Sequence, residues 1–145
     1  MKAALKHAVL ALIGGCIYYA IEIAWRGHSH WTMAVLGGIC FVLVGGINEY
    51  FPWSMPLALQ GAIGAAIITA LEFVAGVVLN VWLGLGIWDY SAMPFNVLGQ
   101  ICLPFTLAWV PLAVVAVVVD DWLRHFLFGE DKPHYVLLRG GASNG

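Results

Sequence analysis

Leu57-Ala-Leu-Gln-Gly-Ala-Ile-Gly-Ala-Ala-Ile-Ile-Thr-Ala-Leu-Glu-Phe-Val-Ala-Gly-Val-Val-Leu79 contains a single ionisable side chain, Glu72. A helix needs about 20 apolar residues to cross the roughly 30 Å hydrocarbon core of a bilayer, and this run is long enough. Gly61, Ala65, Thr69, Glu72, Gly76 and Asn80 follow one another at steps of three or four residues, which puts them on one helix face. Ile67, Leu71, Phe73, Val74, Val77 and Val78 fall on the opposite side. Small residues let a second helix approach, and polar groups then find partners across the interface. The stretch therefore reads as a membrane span with a packing face, and a span of this kind requires a bundle.

Three more runs complete that bundle: about His7 to Trp25, about Trp31 to Ile47 and about Val97 to Val119. Composition agrees. The 145 residues are 62% hydrophobic and only 10% charged, with a mean hydropathy of +0.91, against about 25% charged in a soluble domain. A water-exposed globule and a disordered chain are both excluded. So is a nucleic-acid binder, because the net charge is −2 and no basic face exists. The expected fold is an all-α integral membrane protein, with residues 1–128 as one four-helix domain and 129–145 as a flexible polar cytoplasmic tail. The N-terminal run continues into further spans and lacks an Ala-x-Ala pattern, so it reads as a span and not a cleaved signal.

Charge sets orientation. Lys2, Lys6, Arg124, Lys132 and Arg139 fall on the side of the ends, and only Arg26 falls in the first loop. The positive-inside rule then places both termini in the cytoplasm, with the protein as a multi-pass component of the plasma (inner) membrane. Arg26 to His30 forms a short external connection. Asn48 to Pro56 is cytoplasmic. Asn80 to Asn96 is external, and its apolar first half predicts a re-entrant or interfacial segment before the last helix. Aromatic residues near the span ends, including Trp25, Trp31, Tyr50, Phe51, Trp82 and Trp88, read mostly as an interfacial belt. Asp120 to Phe128 reads as an amphipathic stretch on the inner surface.

Chemistry-bearing motifs are few. No Gly-x-x-x-x-Gly-Lys-Ser/Thr loop, Gly-x-Ser-x-Gly elbow or His-Glu-x-x-His pair occurs. Cys16, Cys40 and Cys102 fall singly within spans and read as small buried residues. His28 and His30 lack neighbouring ligands. No catalytic residue, cofactor or metal is assigned.

The ionisable residues within spans are costly, about 2.5–3.5 kcal/mol each on insertion scales. Glu72 lies deepest and reads either as a hydrogen-bonded packing group or as part of a substrate or ion pathway. Glu22 precedes Arg26 by four residues, the favourable order for a helical ion pair, and Ala11, Gly15, Tyr18, Glu22 and Arg26 share a face. Gly37-Gly38 and Gly45-Gly46 favour close packing in the second span. Asn96 and Gln100 are read at i and i+4 on one face of the fourth span, where Pro104 and Pro111 each remove a backbone bond.

Leu71-Glu-Phe-Val-Ala-Gly-Val-Val-Leu-Asn-Val-Trp-Leu-Gly-Leu-Gly-Ile-Trp-Asp-Tyr-Ser91 and Pro94-Phe-Asn-Val-Leu-Gly-Gln-Ile-Cys-Leu-Pro-Phe-Thr-Leu-Ala-Trp109 resemble the ABC-transporter type IV (CmpB-like) membrane proteins. The transmembrane protein 229 group looks related. The positions carrying the resemblance are Glu72, Trp88, Asp89, Tyr90, Ser91, Pro94, Phe95, Asn96, Gly99, Ile101, Cys102 and Trp109. It implies a permease that works with a separate ATPase subunit. Glu72, Asp89, Tyr90, Ser91, Asn96, Gln100 and Glu22 are the candidate binding residues, and Trp88, Pro94, Gly99, Pro104 and Trp109 the structural ones. The leading expectation is a transport or channel subunit, at least dimeric, for a small solute or ion. The alternative is a non-transporting membrane partner: an assembly factor, a lipid-binding module or a regulator.

Overall fold

The computed structural model describes residues 2–135. Four helices in it are long and apolar enough to cross a membrane. The first, α1 (Ala3–Arg26), leads through a short turn to α2 (Trp31–Gly45). A single-turn helix, α3 (Ile47–Tyr50), extends α2 to the same end of the bundle as the start of α1. The third span is α4 (Leu57–Gly76), which widens into a π-helical stretch at Val77–Trp82. The fourth is α5 (Leu103–Phe128). The end holding Lys6 and Glu130 and the end holding the long Leu83–Cys102 connection, termed the loop end, are the two poles of the molecule.

Close approach fixes α1 on α2. A Cβ on Gly15 would stand 2.5 Å from the Ala34 carbonyl oxygen, and one on Gly38 would stand 2.6 Å from that of Ala11. Only glycine fits at such separations, so the shared face of Ala11, Gly15 and Tyr18 meets the glycine pair of α2. The α4 face works in the same way against α5. Gly61 lies beside Val110 and Val114, and Gly64 beside Ala113 and Val44. Gly61, Ala65, Glu72 and Gly76 are all buried, whereas Val74 on the other side is exposed. Val44, Ile47, Leu57, Ala113 and Val117 form the core where α2, α4 and α5 meet. Helix α2 joins the two pairs, and α1 shares no comparable face with α4 or α5.

Several sequence expectations need correcting. The fourth helix starts at Leu103, not at Val97. Phe95, Leu98 and Gly99 all have positive φ (53°, 53° and 70°), which prevents helix propagation through Asn96 and Gln100. Pro104 therefore lies in the first helical turn, where a missing N–H costs nothing. Pro111 alone is internal. The stretch from Asp120 to Phe128 is not a separate surface helix. It is the last part of α5, with Asp120, Asp121 and Arg124 buried. Cys16 is exposed on the bundle surface. Trp25, Trp31 and Trp82 are exposed near the span ends, as a belt requires, but Trp88 is buried. Within the 129–145 tail, Glu130 pairs with Lys6 and Tyr135 bonds to Asp121. Residues 136–145 of that tail lie outside the described residues.

Gly38→Val drives a branched side chain into the Ala11 carbonyl. Overpacking of this kind costs about 1–3 kcal/mol. The variant is expected to lose several degrees of thermal stability in detergent, measured by intrinsic fluorescence, while Leu12→Val on the exposed side of α1 shifts it little.

Candidate functional site

Backbone that is neither helix nor sheet must find its hydrogen bonds locally, and the Leu83–Cys102 connection does so through five side chains, those of Asn80, Trp88, Asp89, Asn96 and Gln100. Asn80, in the π-helical stretch, accepts from the Ile87 amide through Oδ1 (2.7 Å) and donates to Gln100 Oε1 (2.8 Å). Gln100 in turn donates to the Leu98 carbonyl. Asn96 donates to the carbonyls of Ser91 and Met93 and accepts from the Gly99 amide. Asp89 Oδ1 accepts from the Ser91 amide at 2.8 Å, closing a tight turn. The Tyr90 amide donates to the Gly99 carbonyl at 2.7 Å, and the Trp88 indole to the Gln100 carbonyl at 3.0 Å. Gly99 has φ of 70°, and a Cβ there would stand 2.9 Å from Asp89 Oδ1.

This loop is tied to the helices around it. Arg26 donates from one nitrogen to Glu22 (3.2 Å) and from another to the Ile87 carbonyl (2.9 Å), pinning the loop to α1. Tyr90 donates to Glu72 Oε2 on α4 (3.1 Å) and stacks on Phe105 of α5, centroids 4.9 Å apart. Burial pushes the Tyr90 hydroxyl up from its ordinary value, and the adjacent Glu72 adds to that, so it stays a donor. Trp109 of α5 sends its indole N–H toward Glu72 Oε1 at 3.4 Å. Tyr18 of α1 donates to Glu22 at 2.8 Å, and its ring lies 6.3 Å from that of Trp109.

Beneath the loop lies a cavity of about 710 Å³. Its walls are α1 from Gly14 to Arg26 and α5 from Phe105 to Val119, with Leu36, Gly37, Cys40, Phe41 and Val44 of α2 behind. At 1.5 Å per residue these walls run for about 20 Å, longer than one leaflet's share of a roughly 30 Å core. Polar groups gather at the loop end: Tyr18, Glu22, Arg26, Glu72, Asp89, Tyr90 and the Trp109 indole. The rest is an apolar trough of Ile17, Phe41, Val44, Leu112, Val115 and Val119.

Glu72 is 5% exposed and faces this cavity. No cationic side chain lies within ion-pair reach of it among the described residues. Its two hydrogen bonds leave acceptor capacity, since a carboxylate offers about four lone-pair sites. Of the sequence candidates, Glu22, Glu72, Asp89 and Tyr90 line one cavity. Ser91, Asn96 and Gln100 do not line it, and their bonds organise the loop above. Trp88 and Trp109 line it, Gly99 shapes the turn, and Pro94 lies in the loop. His30 caps α2 through Thr32, and no group of three or more His, Cys, Asp or Glu suited to a metal occurs among the described residues.

Sequence reasoning missed a second polar cluster, at the Lys6–Glu130 end. Arg124 donates to Asp120 at 2.7 Å, Asn48 to Asp121 at 2.7 Å and Tyr135 to Asp121 at 3.0 Å. The signal was present: two adjacent carboxylates and an arginine four residues after the first, at the end of an otherwise apolar run.

The family model described as "Putative ABC-transporter type IV" matches residues 12–132, and the chain belongs to that family. No curated protein and no solved structure matches the chain.

The Asp89 turn is expected to respond to acid. The Ser91 amide holds the Asp89 carboxyl below its ordinary value of 3.8. A depressed carboxyl stabilises the fold above its unfolded value and loses that contribution as pH falls through the folded value. Amide exchange at Ser91, corrected for the intrinsic pH dependence, is expected to lose protection below about pH 3.8. In Asp89→Asn the acid-dependent part disappears.

Proposed function

We propose that this protein is a transport-type membrane subunit whose cleft accepts an amphiphile, with a headgroup that donates hydrogen bonds at the loop end and an apolar chain along α1 and α5. The observation that carries this reading is the cavity itself: one polar pole around Glu72, and beside it an apolar trough long enough for an acyl chain within one leaflet. The Glu72 carboxylate, the outer face of Asp89 and the Tyr18 and Tyr90 hydroxyls offer mainly acceptors and adaptable hydroxyls to a headgroup. Arg26 is already engaged by Glu22 and Ile87. Trough residues such as Leu112 and Val115 match a hydrocarbon chain and give an ion nothing to coordinate. That argues for an amphiphile over an inorganic ion as cargo.

The surrounding assembly follows from the family and the charges. The family description favours a separate ATPase subunit as the source of directional movement. A single four-helix chain encloses too little for a wide permeation path, which favours at least a dimer. Positive residues on the Lys6–Glu130 side favour cytoplasmic termini in the inner membrane, so the Glu72 pole opens toward the outside. A second reading is a lipid-binding module or regulator that moves nothing. It is favoured by the confinement of polar lining to one pole of the cavity.

Native mass spectrometry after gentle extraction tests the amphiphile. Wild-type protein is expected to retain a lipid-sized adduct. Ala108→Trp and Ala116→Phe place bulk in the trough and should cut its occupancy at least tenfold with the fold intact. Glu72→Gln should alter which headgroup is retained. Equal adducts in wild type and both trough variants would sink the reading. Lipid transfer between leaflets of proteoliposomes, with and without co-purified ATPase, separates transport from static binding.

A further inference from the structure

Resting on the amphiphile reading of the cleft, we infer that its cargo is a lipophilic amine: an ammonium headgroup seated among the aromatic rings at the Glu72 pole, on a hydrocarbon tail, with no phosphate. Three features of the cavity lead there: its walls, its spent donors and its charge.

The walls of the polar pole are aromatic. Tyr18, Trp88, Tyr90, Phe105 and Trp109 line the cavity around Glu72, and Trp25 stands at its exposed rim. A ring face attracts a cation, and does so more strongly where water is excluded. Among the described residues the only lysine or arginine over a ring is Lys6 on Phe128, at the other end of the bundle. The faces around Glu72 are therefore not taken by a cation of the protein.

The donors on those rings are already spent. A phenol or an indole has one hydrogen to give. Tyr18 gives its hydrogen to Glu22 at 2.8 Å, Tyr90 and Trp109 give theirs to Glu72 at 3.1 and 3.4 Å, and Trp88 gives its own to the Gln100 carbonyl at 3.0 Å. What this pole offers a ligand is π-surface and lone pairs. Charge agrees with that. Three carboxylates line the cavity, Glu22, Glu72 and Asp89, against one guanidinium, Arg26. Arg26 is divided between Glu22 and the Ile87 carbonyl. Glu72 and Asp89 have no cation within ion-pair reach among the described residues. An ionised group at membrane depth needs a partner, and an ammonium supplies both the charge and N–H donors for the lone pairs.

The same features discriminate against other headgroups. A phosphate would add negative charge beside three carboxylates and would meet one guanidinium already held by two acceptors. A sugar would leave Glu72 without a counter-charge. The route in is lateral. Ile17, Leu112 and Val115 line the trough and are also exposed on the outside of the bundle, so a tail reaches the cleft from the bilayer, where lipophilic amines partition.

The test is native mass spectrometry of the full chain in maltoside micelles, incubated with equimolar dodecylammonium, dodecylphosphocholine and dodecyl phosphate. These probes share a tail and differ in headgroup charge. Dodecylammonium is expected to be retained about tenfold or more over either phosphate probe, because it alone neutralises the pole. Glu72→Gln keeps an acceptor for Tyr90 and Trp109 and removes the charge. It should lower that ratio several-fold and leave dodecylphosphocholine retention unchanged. Asp89→Asn, at an exposed lining position, should lower the ratio by a smaller factor, and it decides the matter if Glu72→Gln does not fold. Equal retention of the three probes, preference for a phosphate probe, or an unchanged ratio in both variants overturns the amine and leaves the amphiphile reading standing. Retention of none of the three overturns that reading as well.

Discussion

The approach of α1 to α2 governs the shape of this protein. Where the Ala34 carbonyl lies 2.5 Å from the place a Gly15 Cβ would occupy, the helices are as close as backbones allow. In a bilayer, lipid tails satisfy leucine as well as another helix does, so helices associate where small residues permit tight packing. This chain spends its small residues on two seams, α1 with α2 and α4 with α5. The facing surfaces of α1 and α5 carry Ile17, Ile21, Trp25, Phe105, Leu112 and Val115 instead. They stand apart, and the cleft is the space that results.

Polar groups lie at the two poles, and each pole resolves its desolvation cost differently. At the loop end Asn80, Asn96 and Gln100 are saturated by neighbouring backbone and by one another. These bonds fix the turn that sets Tyr90 against Glu72. At the opposite end Asn48 and Asp120 each keep an oxygen without a partner. Replacing a buried ion pair such as Arg124–Asp120 by apolar residues of similar volume is often neutral or stabilising. Fold stability alone therefore gives little reason to retain that cluster.

The helices were legible because membrane spans declare themselves by length and hydropathy. The packing face of the third span was legible too: Gly61, Ala65, Glu72 and Gly76 all turn inward. The pair of Glu22 and Arg26 followed from spacing alone. The start of the last helix was not legible. Val97 to Cys102 is as apolar as the helix it precedes, and only the left-handed backbone at Leu98 and Gly99 separates them. A non-glycine residue in that region is uncommon, so no local preference announced it. The same error put Asn96 and Gln100 on a helix face. The Asp120–Arg124 cluster was misread for a different reason. An alternation of charged and apolar residues near a span end fits a surface helix as well as a buried polar seam, and only the packing of α3 and Tyr135 against it decides.

The cleft joins two independent physical features. Its trough depends on side-chain bulk along α1 and α5, whereas its polar pole depends on hydrogen bonds within Leu83–Cys102. Tyr90 is where they meet, since it bonds to Glu72 of α4, stacks on Phe105 of α5, and takes its backbone position from Gly99. Glycine at position 99 therefore acts on the cleft from a distance. A side chain there would press on Asp89 Oδ1, open the turn that seats Tyr90, and leave Glu72 with one weak donor in the trough's mouth. An acid so placed is positioned from outside its own helix, by Tyr90 of the loop and by Trp109 of α5.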